Sequence, residues 1–324
     1  PSAREFYIRR ARRILPAYYV QLALLFFVFL PLLNPTLWSA ARGFVLANLG
    51  LHTLFLHYST PYSSASLSIN GPLWTLALEM QYYLLLPLIA LWFLRAPSIA
   101  AAAFLAVSVL WKTLAAHDLQ PLISLYAAIG ARWHVPEANL RQLAATQLPA
   151  YLGHFAMGIL CGRAWLIHRT RSPGRMNSAL LGLLAACALL GLYAVLAGYA
   201  APVGEHGWLL IPILMATVLW AAVSKHPPWG ARLLGFGLLT FIGRVSYSMY
   251  LYHLPVLLLF NKFAPPAFAW LAFPCYFTAM VIVATASFRW IEQPFMRGSR
   301  RVPIPKPVTP SSAPATKLGD LPAD

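Results

Sequence analysis

The run LWTLALEMQYYLLLPLIALWFL, residues 73–94, decides the fold. It carries a single charged side chain, Glu79, in 22 positions. A bilayer crossing takes about 20 predominantly apolar residues as helix, so the run reads as a spanning helix. Seven further runs of this kind surround it: 14–33 upstream, and 98–116, 149–167, 179–199, 208–224, 246–263 and 267–290 downstream. The expected fold is all-α, a polytopic transmembrane helix bundle with about eight spans. Two other apolar stretches fit less well. Residues 40–58 carry Arg42, Asn48, His52 and His57 and read as an amphipathic, interfacial segment. Residues 233–243 are too short to span and read as surface.

Composition points the same way. Of 324 residues, 60% are hydrophobic and only 10% are charged, with a mean hydropathy of +0.65. An average soluble domain carries roughly 25% charged residues. An ordinary soluble enzyme and a disordered chain are both excluded. The 24 Lys and Arg against 8 Asp and Glu leave a net charge of +16. In a soluble protein that excess would point to nucleic acid. Here the bases gather at the ends of apolar runs, so no nucleic-acid partner is expected.

Four basic clusters set the topology. Arg4, Arg9, Arg10, Arg12 and Arg13 precede the first run, and Arg169, Arg171 and Arg175 follow the fourth. Lys225, Arg232 and Arg244 lie between the sixth and seventh, and Arg297, Arg300 and Arg301 follow the eighth. With eight spans all four clusters share one side, the cytoplasmic one by the positive-inside rule. Both termini of the chain are then cytoplasmic. The domain is expected over 1–297, followed by a disordered Pro-rich tail, 298–324. The connections 34–72 and 116–148 face outward. Cys161, Cys187 and Cys275 lie in apolar runs and read as buried free thiols. The chain opens on Pro1 without a signal-peptide pattern, as a fragment or processed chain would.

An ionisable group within a span is costly and is a functional hypothesis by default. Glu79, with Tyr82 and Tyr83 three and four residues on, makes one polar stripe. A carboxylate there can orient a histidine, bind a hydroxyl or take a proton, or can simply be held by helix-helix hydrogen bonds. In GRVSYSMYLYH, residues 243–253, Ser246, Tyr250 and His253 share one helical face, and Tyr247, Ser248 and Tyr252 broaden it. Such a surface faces protein or a water-filled cavity, not lipid. Arg10 and Arg13 lie one turn apart in FYIRRARRILP, and guanidinium forks suit phosphate. The same arginines also serve as an orientation signal or attract anionic lipid. Glu292, in FRWIEQPF, is out of place on the basic side and reads as a structural salt-bridge partner. The remaining histidines, His52 and His57 included, read as interfacial rings. No metal-ligand spacing is present.

Four motifs in order, RRARRILPAYY, PLWTLALEMQYYLLLP, GRVSYSMYLYH and WIEQPF, resemble the integral-membrane acyltransferase family 3. That family comprises O-acetyltransferases that modify bacterial surface sugars. The resemblance implies a fold of about ten helices, eight of them here, with the first two upstream of Pro1. One of those carries the histidine regarded as the catalytic base. It also implies an enzyme of the bacterial inner membrane that moves an acyl group, commonly acetyl, from acyl-CoA to a hydroxyl of a glycan or related sugar. Acyl-CoA is then a substrate, and no cofactor is permanently bound.

Carried over by motif, Arg10 and Arg13 match the arginine pair and Glu79 the acidic position after Trp74, with Met80 replacing a second acidic residue. Ser246, Tyr247, Ser248, Tyr250 and His253 match the serine-tyrosine motif, and Glu292 the closing one. On this reading Arg10 and Arg13 bind the donor, and Glu79 and His253 are catalytic. Trp74, Tyr82, Ser246, Ser248 and Tyr250 line the substrate channel. Glu79 is expected in the outer half of the site, and His253 with Tyr250 in the inner half. The resemblance is to members without an appended esterase-like domain. The polar intramembrane groups alone also fit a transporter or flippase for a glycan or lipid, or a non-catalytic scaffold. Oligomeric state is not legible.

Overall fold

A computed structural model of the chain describes residues 2–64, 66–117, 119–130, 136–170, 178–196, 210–223, 235–263 and 269–297. The expected tail, 298–324, lies outside these residues. So do Arg171, Arg175, Lys225, Arg232, Arg300 and Arg301. The described residues form helices and turns, with no strand among them.

Helix α1, Ala3–Leu24, starts at a capping box. The Ser2 hydroxyl accepts from Glu5 N at 3.2 Å, and the Glu5 carboxylate accepts from Ser2 N at 3.2 Å. The helix continues through a π-turn, Leu25–Phe29, to Leu33. The arginine run expected ahead of the first span is thus inside its helix. After a short turn of helix, Pro35–Ala40, comes α2, Arg42–Thr53. Then follow α3 (Leu73–Arg95), α4 (Pro97–His117), α5 (Gln120–Gly130), α6 (Glu137–Ala145) and α7 (Leu152–Thr170). The last are α8 (Ser178–Leu196), α9 (Leu210–Val223), α10 (Gly237–Phe263) and α11 (Ala269–Ser287). α11 runs on through a second π-turn, Phe288–Glu292, to Arg297.

Five described helical stretches are long and apolar enough to cross a membrane: Ala3–Leu33, Leu73–Arg95, Pro97–Ala115, Leu148–Ile167 and Leu271–Met296. Shorter apolar helices cover Leu184–Ala194 and Leu210–Ala222, where the fifth and sixth spans are expected. The ends of those spans lie outside the described residues. On α3, Leu84, Leu88 and Leu91 form an exposed stripe, with Leu88 78% exposed. In water such a stripe would be a liability; against acyl chains it is the ordinary outer surface of a bundle.

Three expectations need correction. Residues 237–243 are not a separate surface segment but the first two turns of α10, because no proline or capping residue interrupts the helix before 246. The connection 116–148 is not simply a polar loop. It holds α5 and α6, whose Ile123, Tyr126, Leu140 and Leu143 close a core with Tyr58, Ala77 and Leu78. Helix α2 turns Val45, Asn48 and His52 inward, where they are buried, and leaves Leu46 exposed on its other face. Of the thiols, Cys161 is buried while Cys187 and Cys275 are exposed on the helix surfaces.

Helix α1 is central. Its face Ile14, Tyr18, Leu22, Leu25 and Phe26 packs with Leu73 and Leu76 of α3 and with Leu251 and Tyr252 of α10. Tyr247 donates to the Ile14 carbonyl at 3.0 Å, and Lys262 donates to the Leu32 carbonyl at 2.5 Å, so α1 and α10 run parallel. Tyr7 donates to the Leu84 carbonyl at 3.1 Å while Tyr250 of α10 reaches Pro72, so α3 runs antiparallel to both. Helix α4 meets α7 closely at Gly153, where an added Cβ would sit 3.2 Å from Leu105 Cδ1. Small residues permit such approaches between helices in lipid.

Candidate active site

The carboxylate of Glu79 and the guanidinium of Arg10 are joined through one side chain. Glu79 and Tyr83 stand one turn apart on α3, and the Tyr83 hydroxyl donates to the Glu79 carboxylate. Arg10 Nη1 in turn donates to the Tyr83 oxygen at 3.1 Å. The guanidinium also lies 4.7 Å from the centre of the Tyr83 ring and 5.7 Å from that of Phe6. Three groups on two helices thus make a directional chain, Arg10 to Tyr83 to Glu79, of charge-assisted bonds. Glu79 and Arg10 are half-buried. Arg13, one turn on from Arg10, is exposed, and its charge acts on Tyr83 and on Glu292.

Glu292 sits in the π-turn of α11 and is 2% exposed. The buried Ser248 hydroxyl of α10 bonds its carboxylate, and Ser248 also bonds Ser287 Oγ at 2.8 Å. Tyr252 is hydrogen-bonded to Ser287 in turn. A carboxylate only accepts, so the Ser248 proton points to Glu292 and Ser287 supplies the next donor. The expected salt bridge is therefore replaced at contact distance by a hydroxyl, with Arg13 acting from further away. The extra residue of a π-turn re-aims side chains, and here it turns Glu292 inward against α10.

Higher along α10, the Tyr250 hydroxyl donates to the Pro72 carbonyl at 2.5 Å and lies 2.9 Å from Thr75 Oγ1. His253 Nδ1 donates to the Tyr250 carbonyl at 2.7 Å, which in the neutral ring leaves the lone pair on Nε2. Tyr276 of α11 donates to the His253 carbonyl at 3.1 Å.

These contacts reverse the expected depths. Tyr250 meets the first turn of α3, and His253 lies one turn further from the arginines. Glu79 lies between Thr75 and Tyr83, toward Arg10. The carboxylate therefore belongs with the arginines, and the histidine with the opposite end. Helical periodicity orders residues along one helix but does not say how two helices are offset against each other.

Other expected site residues separate. Tyr82 turns away from Tyr83 and stacks on Phe155 of α7, ring centres 3.7 Å apart. Trp74 packs with Tyr58 and Tyr151, at 5.1 and 5.8 Å. Ser246 is exposed and donates back to the Gly243 carbonyl at 3.0 Å, outside the Ser248 network. Among the described residues, no three His, Cys, Asp or Glu side chains converge as metal ligands.

A polar group that sequence reasoning missed lies at the far end. His52 and His57, both fully buried, stack with ring centres 4.1 Å apart and planes 7° apart. His52 Nδ1 meets the Asn48 carbonyl and Nε2 the Ser66 hydroxyl, each at 2.8 Å. His57 Nε2 meets the Leu73 carbonyl at 3.1 Å. The Tyr18 hydroxyl donates to the His52 carbonyl at 2.7 Å, and Asn70 Nδ2 to the Leu251 carbonyl at 3.0 Å. Burial drives both rings toward the neutral form, His52 down to about 3 and His57 to about 4. The four-residue spacing of Asn48 and His52 on α2 was the available signal.

The comparisons with known proteins agree with this architecture. The chain is 26% identical over 311 residues to peptidoglycan O-acetyltransferase OatA of Listeria monocytogenes, covering 91% of this chain and 46% of that protein. It is 28% identical over 323 residues to a Bacillus subtilis protein named "Putative peptidoglycan O-acetyltransferase YrhL", covering 92% and 47%. It spans about half the length of these curated relatives. No solved structure matches it. The family model described as acyltransferase domain matches residues 1–289, and the chain belongs to that family of acyltransferases.

Proposed function

We propose that the chain is the membrane part of an O-acyltransferase that moves an acyl group, acetyl in the simplest case, from acyl-CoA to a hydroxyl of a cell-wall glycan. The names of its relatives support a peptidoglycan-type acceptor and acetyl transfer. The observation that carries the donor side is the chain Arg10–Tyr83–Glu79 with Arg13 beside it. The arginines would hold the phosphates of the nucleotide at the basic, cytoplasmic end, with both termini on that side of the bacterial inner membrane. Glu79 would act through Tyr83 as a positioning group that aims the Arg10 fork.

The acyl group would enter the bundle along α3 and α10, and the sugar would come from the far end, past Tyr250 and His253. In the transfer the acceptor oxygen bonds the thioester carbonyl carbon and the carbon–sulfur bond breaks. The hydroxyl proton goes to a base and the CoA thiolate leaves. His253, whose Nδ1 is held by the Tyr250 carbonyl, would orient the acceptor through Nε2.

The test is acyl-CoA binding to the full-length protein in detergent. Arg10→Ala combined with Arg13→Ala should weaken binding by more than tenfold, since removing charged hydrogen-bond partners costs about 2–5 kcal/mol. Unaltered binding would remove the donor role. No acyl-CoA binding by the wild type, with glycan moved across vesicles, would favour a transporter.

A further inference from the structure

The His52–His57 pair is not accounted for by donor binding, and its hydrogen bonds determine what it can take. Carbonyl oxygens only accept, so each ring nitrogen facing one carries the proton. His57 therefore holds its proton on Nε2, toward Leu73, and its lone pair on Nδ1. That Nδ1 is buried and has no partner among the described residues. His52 is protonated on Nδ1 and accepts from Ser66 on Nε2.

The same logic fixes two amides. Asn48 and Asn70 both spend an N–H on a carbonyl, of Phe44 and Leu251, so each is left with an unpaired Oδ1. Gln21 is fully buried one turn beyond Tyr18, whose hydroxyl bonds His52, and neither atom of its amide has a partner among the described residues. A buried polar atom without a partner costs about 1–3 kcal/mol, so several together are not tolerated without a return.

We infer that this end of the bundle binds a neutral sugar, with a sugar hydroxyl donating to His57 Nδ1 and the Gln21, Asn48 and Asn70 amides completing its hydrogen bonds. The inference rests on the reading that a glycan is the acceptor. The hydrogen-bond partners of these groups are uncharged: Phe44, Ser66, Leu73 and Leu251. A cationic or anionic ligand would be desolvated here without a counter-charge. A hydroxylated or acetamido ring supplies neutral donors and acceptors in the required numbers. Burial keeps the His57 ring neutral, which suits it to accept a hydrogen bond, whereas the strong base of the reaction would need a higher proton affinity. His57 is thus a binding residue for the acceptor. Entry requires the turn Ser66–Ser68 to move, since Ser66 closes on His52.

The experiment is binding of the N-acetylglucosamine tetramer to the full-length protein in detergent, with acetyl transfer followed in parallel. His57→Gln keeps a donor for Leu73 and deletes the atom at Nδ1; binding should weaken at least tenfold. His57→Asn restores an acceptor near Nδ1 and should bind within about threefold of wild type. Gln21→Met removes two unpaired polar atoms, so it should melt at a higher temperature than wild type and still bind the sugar more weakly. That combination distinguishes a binding role from a structural one, and it stands even where His57→Gln does not fold.

Wild-type affinity in either His57→Gln or Gln21→Met overturns the site, and so does a wild type that does not bind the tetramer. If transfer proceeds while His57→Gln binds normally, the inference fails and the acyltransferase reading survives. If the tetramer binds and no acetyl moves, the reverse holds.

Discussion

At one end of the polar column a half-buried guanidinium and a half-buried carboxylate are linked in series through a buried phenol. At the other, two imidazoles, three amides and a serine are enclosed, and their partners carry no charge. The desolvation cost explains the division. An ion taken from water loses several kcal/mol even after the protein relaxes, whereas a neutral polar group loses about 1–3 kcal/mol when unpaired. Apart from Glu292, which the Ser248 hydroxyl holds in the interior, the charges of the column stand where water or a charged ligand reaches them. A site for a neutral ligand can be buried outright. The two ends of one bundle thereby suit two substrates of different charge.

The largest expected effect comes from breaking the charged end at its middle member. Tyr83→Phe removes one oxygen, leaving Arg10 and Glu79 in place without their link. A hydrogen bond to a charged group is worth about 1.5–3 kcal/mol, and each 1.4 kcal/mol is a factor of ten in rate. Acyl transfer should fall about 10- to 100-fold while the amount of protein in the membrane holds steady. Turnover equal to wild type would mean that the link is idle and the two ends differ in composition only.

Titration should separate the ends further. A histidine in an unfolded chain titrates near 6.5, well above His52 at about 3 and His57 at about 4 in the folded protein. Above pH 6.5 the rings are neutral in both states, and stability is complete. As pH falls below 6.5 only the unfolded state takes up these protons, so stability declines until the folded rings titrate, about 4 for His57 and about 3 for His52. Each such proton contributes a slope of about 1.4 kcal/mol per pH unit. Thermal unfolding in detergent should thus shift downward between pH 7 and pH 5, and the shift should shrink in His57→Gln, which has one ring fewer. An equal shift in that variant would place the titrating groups elsewhere.

The charged end was partly legible in the sequence and the neutral end was not. Glu79 stands out because a charge in an apolar run is rare at any orientation, Arg10 because it belongs to a dense arginine run, and Glu292 because it is acidic on the basic side. Which tyrosine joins Glu79 was not legible: Tyr82 and Tyr83 are both spaced to reach it, and only the packing of α7 draws Tyr82 off to Phe155. Ser246 and Ser248 differ for the same reason. The π-turn of α11 aims Glu292 at Ser248, and a π-turn leaves no mark in composition. His52 and His57 looked interfacial because amphipathic segments beside a membrane and polar segments folded into a bundle share one pattern. What distinguishes them is the partner helix, here α1 through Tyr18.

The smallest effect lies in the turn that closes the neutral end. Ser66, Leu67 and Ser68 hold φ of 45°, 57° and 61°, the left-handed region that non-glycine residues enter at a cost. Ser66 is committed to His52, and Leu67 packs against the main core, so neither can be changed without losing a contact. Ser68 is exposed. Ser68→Gly should relieve its strain and add about 0.5–1 kcal/mol, less whatever the freer unfolded chain takes back. A rise of a few degrees at most in the unfolding temperature is expected, with the Tyr83→Phe phenotype unaffected by adding it. If the turn is what moves to admit the sugar, the same change slows opening, and tetramer association slows while its dissociation slows in parallel. A variant that is stabilised but keeps wild-type association rates would locate the entrance away from the turn.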